Sequence, residues 1–243
     1  RGGLIGPNID TKNDRGIWLE TSGSIDIVVR EGDPAPGTEP GTVFGSSSAF
    51  TQEFQAPIIS NNGQLAITGN LTGPSINSTN NKGIWLYNDG SLQRVARTSY
   101  HAPGTEPGVL FSQLGAPSMN GLGQIMFPGS LIGPGVDSTN NRGMWATDEH
   151  NALILIARMG DIIDINPDPL MEDLRTIAFF GSGQLFMSGG GDGRLLSFND
   201  AGEIAALAGF TDGTHGSIVA TIPEPTSILL LATGLGLICR RDH

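Results

Sequence analysis

Only one cysteine, Cys239, occurs in the 243 residues, so the chain can form no internal disulfide and offers no cysteine-based metal site. Cations are also scarce: 13 Lys and Arg stand against 24 Asp and Glu, for a formal net charge of −11. Nucleic-acid affinity depends on clustered Lys and Arg, and the few present are scattered, which excludes nucleic acid as a partner. The four histidines, His101, His150, His215 and His243, never approach the spacing of zinc ligands. No serine sits in a Gly-x-Ser-x-Gly elbow, and no phosphate-binding glycine pattern joins a strand to a helix. The run Gly189-Gly190-Gly191-Asp192-Gly193 is glycine-rich but lies between two apolar segments, as a hairpin connection does.

What the chain has in quantity is glycine and proline, 36 and 15 residues, with hydrophobic residues at 38% and charged ones at only 15%. The glycines follow no three-residue period, which rules out a collagen-like rod. Short apolar runs between turn residues predict an all-β fold with a substantial core.

Comparing the chain with itself exposes a long repeat. Arg15-Gly16-Ile17-Trp18 returns as Lys82-Gly83-Ile84-Trp85 and as Arg142-Gly143-Met144-Trp145, in steps of 67 and 60 residues. Each is preceded by a Leu-x-Gly-Pro loop rich in Asp and Asn. Each is followed by a strand ending in arginine: Arg30, Arg97 and Arg158. Ala35-Pro36-Gly37-Thr38-Glu39-Pro40-Gly41 recurs at residues 102–108, and residues 162–169 replace it in the third unit. A second hairpin spans 56–67, 116–127 and 176–187, turning at Asn-Gly or Gly-x-Gly-Gln. A worn fourth copy of the first hairpin is expected from Gly193-Arg194-Leu195-Leu196-Ser197-Phe198, through a turn at 199–202, to Leu207.

Two hairpins per unit predict tandem four-stranded repeats, a partial β-propeller-like array in which each unit buries its faces against its neighbours. The domain is expected over residues 1–208, followed by a linker over 209–221. About three and a half units fall short of the smallest closed propeller, of about four blades. Because Arg1 opens in mid-repeat with no signal peptide, further residues are expected upstream of it. These repeats resemble the choice-of-anchor tandem-repeat proteins, which carry an Asn-x-x-Gly-x-x-Ala-Phe motif. Asn120-x-x-Gly123-x-x-Met126-Phe127 comes close, the first copy has Ser60 and Ile67 at the outer positions, and the third reads Phe180-x-x-Gly183-x-x-Phe186-Met187. The resemblance implies no catalytic activity.

The C-terminal stretch has a different character. Pro223-Glu224-Pro225 forms a rigid elbow that ends whatever precedes it, an uncharged run covers 226–239, and Arg240 and Arg241 follow. The run is 14 residues long, short of the roughly 20 that span a bilayer, although Ile222 and snorkelling arginines extend its reach. A buried core helix is the alternative, disfavoured by Gly234 and Gly236 and by the lack of a polar face. The order of elbow, apolar helix and basic stop resembles the PEP-CTERM sorting signal of exported bacterial proteins. That resemblance implies a C-terminal hydrophobic, membrane-inserted helix over 222–243, with Arg240 and Arg241 as the membrane stop. It also implies Pro223, Glu224 and Pro225 as the motif read by an exosortase-type membrane protease.

Three sets of residues offer chemistry within the repeats. Glu31 and Asp33 could serve acid/base work as a pair, but a turn that uses Asp for local hydrogen bonds is the better account of them. Asp10, Asn13 and Asp14, with Asn77, Asn80 and Asn81 and with Asp137, Asn140 and Asn141, could offer oxygen ligands to Ca²⁺. Asx turns require the same residues, and no other cofactor or metal is expected. Trp18, Trp85 and Trp145 could stack on a sugar face, although a repeated strand position usually packs between units. The expectation is therefore a non-enzymatic exported protein of the cell surface or extracellular matrix, whose partners are the sorting protease and the envelope or its exopolysaccharide. A carbohydrate-binding propeller module is the alternative.

Overall fold

A computed structural model of the chain describes residues 2–21, 23–45, 53–166, 168, 170–181, 197–223 and 238–239. Among the described residues every regular element is a strand, and the strands form four antiparallel sheets in chain order. Sheet I holds β1 (Gly2–Gly3), β2 (Arg15–Thr21) and β3 (Ser24–Arg30). Sheet II holds β4 (Val43–Phe44), β5 (Ile58–Ile59), β6 (Leu65–Thr72), β7 (Lys82–Asn88) and β8 (Ser91–Arg97). Sheet III repeats this pattern with β9 (Leu110–Leu114), β10 (Ser118–Met119), β11 (Ile125–Ile132), β12 (Arg142–Thr147) and β13 (Leu153–Arg158). Sheet IV comprises β14 (Ile162–Asp164), β15 (Leu174–Phe180), β16 (Glu203–Phe210), β17 (His215–Thr221) and β18 (Ile238–Cys239).

Sheets II and III each bury one face against the sheet before and the other against the sheet after, so that three seams join the four sheets. Ile17 and Val29 of sheet I pack with Phe44, Leu65, Ile67 and Trp85 of sheet II. Ile84 and Leu86, pointing the opposite way from Trp85 on the same strand, pack with Phe111, Phe127 and Trp145 of sheet III. Met144 and Ala146 in turn meet Ile177, Ile204 and Ile218 of sheet IV. A strand covered on both faces needs apolar residues at successive positions, which is why the Ile-Trp-Leu and Met-Trp-Ala runs lack a polar alternation.

The glycine of the Arg-Gly-x-Trp motif has a steric cause. Successive odd positions share a face, so the indole of Trp85 folds back over Gly83. A Cβ there would lie 2.6 Å from Cη2 of Trp85 and 3.0 Å from the Ala96 carbonyl. Gly143 meets Trp145 in the same way at 2.9 Å. Each sheet also shifts register next to this position, between Ile84 and Trp85 and between Met144 and Trp145, as a bulge that re-aims the ring.

The all-β expectation and the stacking of antiparallel repeats agree with this architecture. The sheets, however, hold three or five strands and not the expected four, with short strands from the connections adding at the edges. Three boundaries also move. Of the third turn expected at Phe180 to Met187, Phe180 lies in β15, the counterpart of β9, and 182–187 fall outside the described residues. The turn bonded like that at Asn120 is Asn199-Asp200-Ala201-Gly202, 79 residues further on, with extra chain between β15 and Ser197. The supposed fourth hairpin is thus the entry to β16 of sheet IV, and its residues 193–196 lie outside the described set. The expected linker over 209–221 is instead the end of β16 and the whole of β17, paired from Glu203↔Thr221 to Gly209↔His215. In that pairing His215-Gly216-Ser217-Ile218 takes the place of Arg-Gly-x-Trp: Ala206 faces Ile218 as Phe127 faces Trp145. Loss of the tryptophan hid this copy. Of the expected C-terminal helix, residues 226–237 lie outside the described residues, and Ile238–Cys239 form β18 against Val219 and Ile218.

Candidate functional site

The tryptophans separate by position. Trp85 and Trp145 are fully enclosed at 0% exposure, each edge-on to a phenylalanine of its own sheet, Phe44 at 4.7 Å and Phe111 at 4.8 Å. Their indole Nε1–H groups donate to the carbonyls of Pro36 (3.1 Å) and Pro103 (2.9 Å). A ring with both faces packed and its one donor engaged cannot stack on a sugar, so Trp85 and Trp145 are core residues and not ligand contacts. Trp18 alone is half-buried.

Those prolines belong to the two Ala-Pro-Gly-Thr-Glu-Pro-Gly loops, and the loops explain the repeated arginines. Arg97 places Nη1 2.6 Å from the Glu39 carboxylate, and Arg158 places Nη1 3.0 Å from Glu106. The same side chains reach back with Nε to Asn80 and Asn140 carbonyls, and Arg30 does so to Asn13. Each arginine thereby ties the end of its sheet to the Asx-rich loop, and in sheets II and III also to the connection leading into that sheet. Arg97, beside Glu39, holds that carboxyl down at about 2, with the Tyr100 hydroxyl helping.

The Asx loops use their own oxygens. Oδ1 of Asp10, Asn77 and Asp137 accepts the N–H two residues on, at 2.8 Å in all three loops. Oδ1 of Asn13, Asn80 and Asn140 accepts the N–H of that first residue. These are the bonds of an Asx turn, the local chemistry that requires the same residues. Among the described residues no group of three or more His, Cys, Asp or Glu is placed to hold a metal ion.

Glu31 and Asp33 part company. Asp33 accepts the Arg30 N–H at 2.7 Å, and Asp161 does the same for Arg158, so this aspartate closes a turn. Glu31 is 4% exposed between sheets I and II, at a position filled by Thr98 and Met159 in the later units. Its Oε2 has no hydrogen-bond partner. Burial first, then the charges of Glu53 and Asp14, push its carboxyl up to about 7, with Arg15 opposing. Arg15 itself is engaged by Glu53 at 2.8 Å. The folded state therefore binds more protons than the unfolded chain between about pH 4.5 and 7, and stability contributed by this group falls as pH rises through that window. Glu31→Gln is expected to remove that decline and to gain about 2 kcal/mol at pH 8. Urea unfolding at pH 5 and pH 8 measures it, and an unchanged pH slope in the variant would refute the assignment.

One end of the stack gathers the Asn-x-x-Gly turns. In each, the first residue accepts the N–H four positions on: Ser60 from Gln64, Asn120 from Gln124 and Asn199 from Glu203. The glycines Gly63, Gly123 and Gly202 take the left-handed conformation that closes the turn, with φ of 81°, 89° and 72°. Neighbouring turns are cross-linked: Asn120 Nδ2 donates to the Asn199 carbonyl (3.0 Å) and Gly121 N to Asp200 Oδ1 (2.6 Å). These turns, with the hairpin tips at Asn88 and Asp148–Asn151, border a cleft of about 340 Å³. Gln64, Gln124, Asp148, Glu149 and Asp200 make it polar and acidic.

Pro223 stands on the rim of this same cleft. Ile222 before it is buried and donates its N–H to Gly202 at 2.9 Å, so the Pro-Glu-Pro sequence leaves directly from the end of β17. Glu224, Pro225, Arg240 and Arg241 lie outside the described residues. No helix among the described residues is long and apolar enough to cross a membrane. Repeat comparison alone reached the arginines and tryptophans. It missed Glu53, Glu39 and the cleft, because each depends on contacts between units.

Compared with known proteins, the chain matches no curated protein and no solved structure. A family model does match it, over residues 1–229, which takes in all four sheets up to the end of β17 and stops inside the apolar run. The chain belongs to the Family of unknown function (DUF7453).

Proposed function

We propose that this is a non-enzymatic, exported β-repeat protein addressed to the cell envelope by its C-terminal segment. The observation that carries the reading is the order of parts after β17: a tethered Ile222, Pro223-Glu224-Pro225, fourteen uncharged residues and then Arg240-Arg241. In this reading the apolar run inserts, the two arginines hold the tail on the cytoplasmic side, and the Pro-Glu-Pro elbow is presented to an exosortase-type protease. The position of Pro223, two residues past β17, supports it: cleavage near the elbow would release β1 to β17 together, with only the two-residue edge strand β18 leaving with the tail. The cleft at the Asn-x-x-Gly end supports a secondary role in holding a polyhydroxylated ligand such as exopolysaccharide, in place of the enclosed tryptophans.

Cell fractionation with intact mass tests the main claim. In a host that contains the sorting protease, the natural chain is expected in the envelope or medium with its tail removed. The Arg240→Ala/Arg241→Ala variant is expected to keep its tail and to lose that location. An uncleaved chain that stays in the soluble cell fraction regardless of the arginines would overturn the reading.

A further inference from the structure

Sheets II and III show how this fold covers a tryptophan-bearing face, and sheet I presents the same face uncovered. In sheet II the covering is the loop at residues 35–41. The Pro36 carbonyl takes the Trp85 Nε1–H, and Gly37 lies so close to strand β8 that a Cβ on it would sit 3.2 Å from Arg94 Cβ. Glu39 pairs with Arg97. Sheet III repeats every element: Pro103 with Trp145, Gly104 where an added Cβ would sit 2.6 Å from Leu155 Cβ, and Glu106 with Arg158.

Register identifies the counterparts in sheet I without ambiguity. Trp18 faces Ile27 as Trp85 faces Arg94 and Trp145 faces Leu155. Glu20 faces Ile25 as Tyr87 faces Leu92 and Thr147 faces Leu153. Leu92, Leu153 and Leu155 all pack into cores, whereas Ile25 is 70% and Ile27 49% exposed. Among the described residues, no carbonyl accepts the Trp18 Nε1–H. Arg30, bonded to the Asn13 carbonyl like its counterparts, has no carboxylate partner there. Three recognition features of one loop type, an indole donor, a guanidinium and an apolar strip for a glycine, thus stand together on one surface.

We propose that this face of sheet I is a docking surface for one further unit of the same repeat, joined ahead of Gly2. It would enter through a Pro-Gly-x-Glu-Pro connection, the Pro carbonyl binding Trp18, the Gly resting on Ile27 and the Glu pairing with Arg30. A second copy of the chain is a poor occupant, because its two loops of this type are already engaged with its own Trp85 and Trp145.

The test fuses a duplicate of residues 31–68 directly ahead of Gly2 in the full chain, since Gly2 faces Gly16 as Gly69 faces Gly83. The Trp18 signal is isolated by subtracting the spectrum of the matching Trp18→Phe protein. The expected result is that acrylamide quenching of Trp18 falls several-fold, to the level of Trp85 and Trp145, with a higher midpoint of thermal unfolding. Gln at the duplicated Glu39 position, or Arg30→Ala, should each restore part of the quenching. The proposal fails if Trp18 stays as accessible as before. It also fails if the natural chain, at rising concentration, forms a dimer by light scattering that protects Trp18 itself. Should the fusion misfold, the synthetic 31–68 segment added to the natural chain must give the same Trp18 protection in a saturable manner, and its absence refutes the proposal.

Discussion

Trp85→Ala is expected to lower the stability of the protein by about 3–5 kcal/mol. The indole fills the seam between sheets I and II, with Phe44 edge-on at 4.7 Å and Gly69 and Gly83 pressed against its six-membered ring. Glycines on both sides leave no side chain able to move into the space, so the cavity persists. The Pro36 carbonyl also loses its donor, and with it one anchor of the loop that carries Glu39 to Arg97. Trp145→Ala should behave alike at the seam between sheets II and III. Trp18→Ala, at the half-buried counterpart, should cost about 1 kcal/mol, because part of its surface is already in water. Equilibrium urea unfolding of the three variants measures this. Equal losses at Trp18 and Trp85 would contradict the account of the loop-covered face.

Much of this arrangement was legible in the sequence where the same physics acts on the same residues three times. Arg-Gly-x-Trp, the Asx loops and the terminal arginines recur because each solves a local problem: room for an indole, a closed turn, a tie to the turn carbonyl. Their identity as strand, loop and strand end follows from residue type alone. The last sheet was not legible by the same means. Ile218 replaces the tryptophan, His215 the leading cation, and a short turn at 211–214 replaces the long Leu-x-Gly-Pro loop, so both markers of the repeat vanish together. Strand pairing still holds the register, because backbone hydrogen bonds do not read side chains. The assignment of 209–221 as linker failed for that reason. Cross-unit features were hidden more deeply: Glu39 meets Arg97 across 58 residues and Arg15 meets Glu53 across 38. Nothing in the local sequence of either glutamate announces its partner.

The Arg97–Glu39 clamp yields the second large effect. Arg97 is 1% exposed and divides its guanidinium among the Asn80 carbonyl, the Glu39 carboxylate and the Tyr100 hydroxyl. Its removal in Arg97→Ala unties the connection, the Asx loop and the strand end at once, and leaves an enclosed void. The expected loss is on the order of 3 kcal/mol. Arg97→Lys should recover only a minor part, because an ammonium on a single stem cannot serve the carbonyl and the carboxylate together as the planar guanidinium does. The carboxylate side of the pair is half exposed, so its share is discounted for solvent screening. Its sign is nonetheless definite. With the folded value near 2, below the ordinary 4.5, Glu39 contributes stability that is present above about pH 4.5 and lost as pH falls toward 2. Glu31 acts in the opposite sense between 4.5 and 7, so these two glutamates together favour the fold most near pH 4.5 to 5. Glu39→Gln should flatten the acid limb and leave the decline toward pH 8 in place, whereas Glu31→Gln should do the reverse. Unfolding free energies at pH 3, 5 and 8 for both variants decide the matter: a single variant that flattens both limbs would show that the two carboxylates do not act independently.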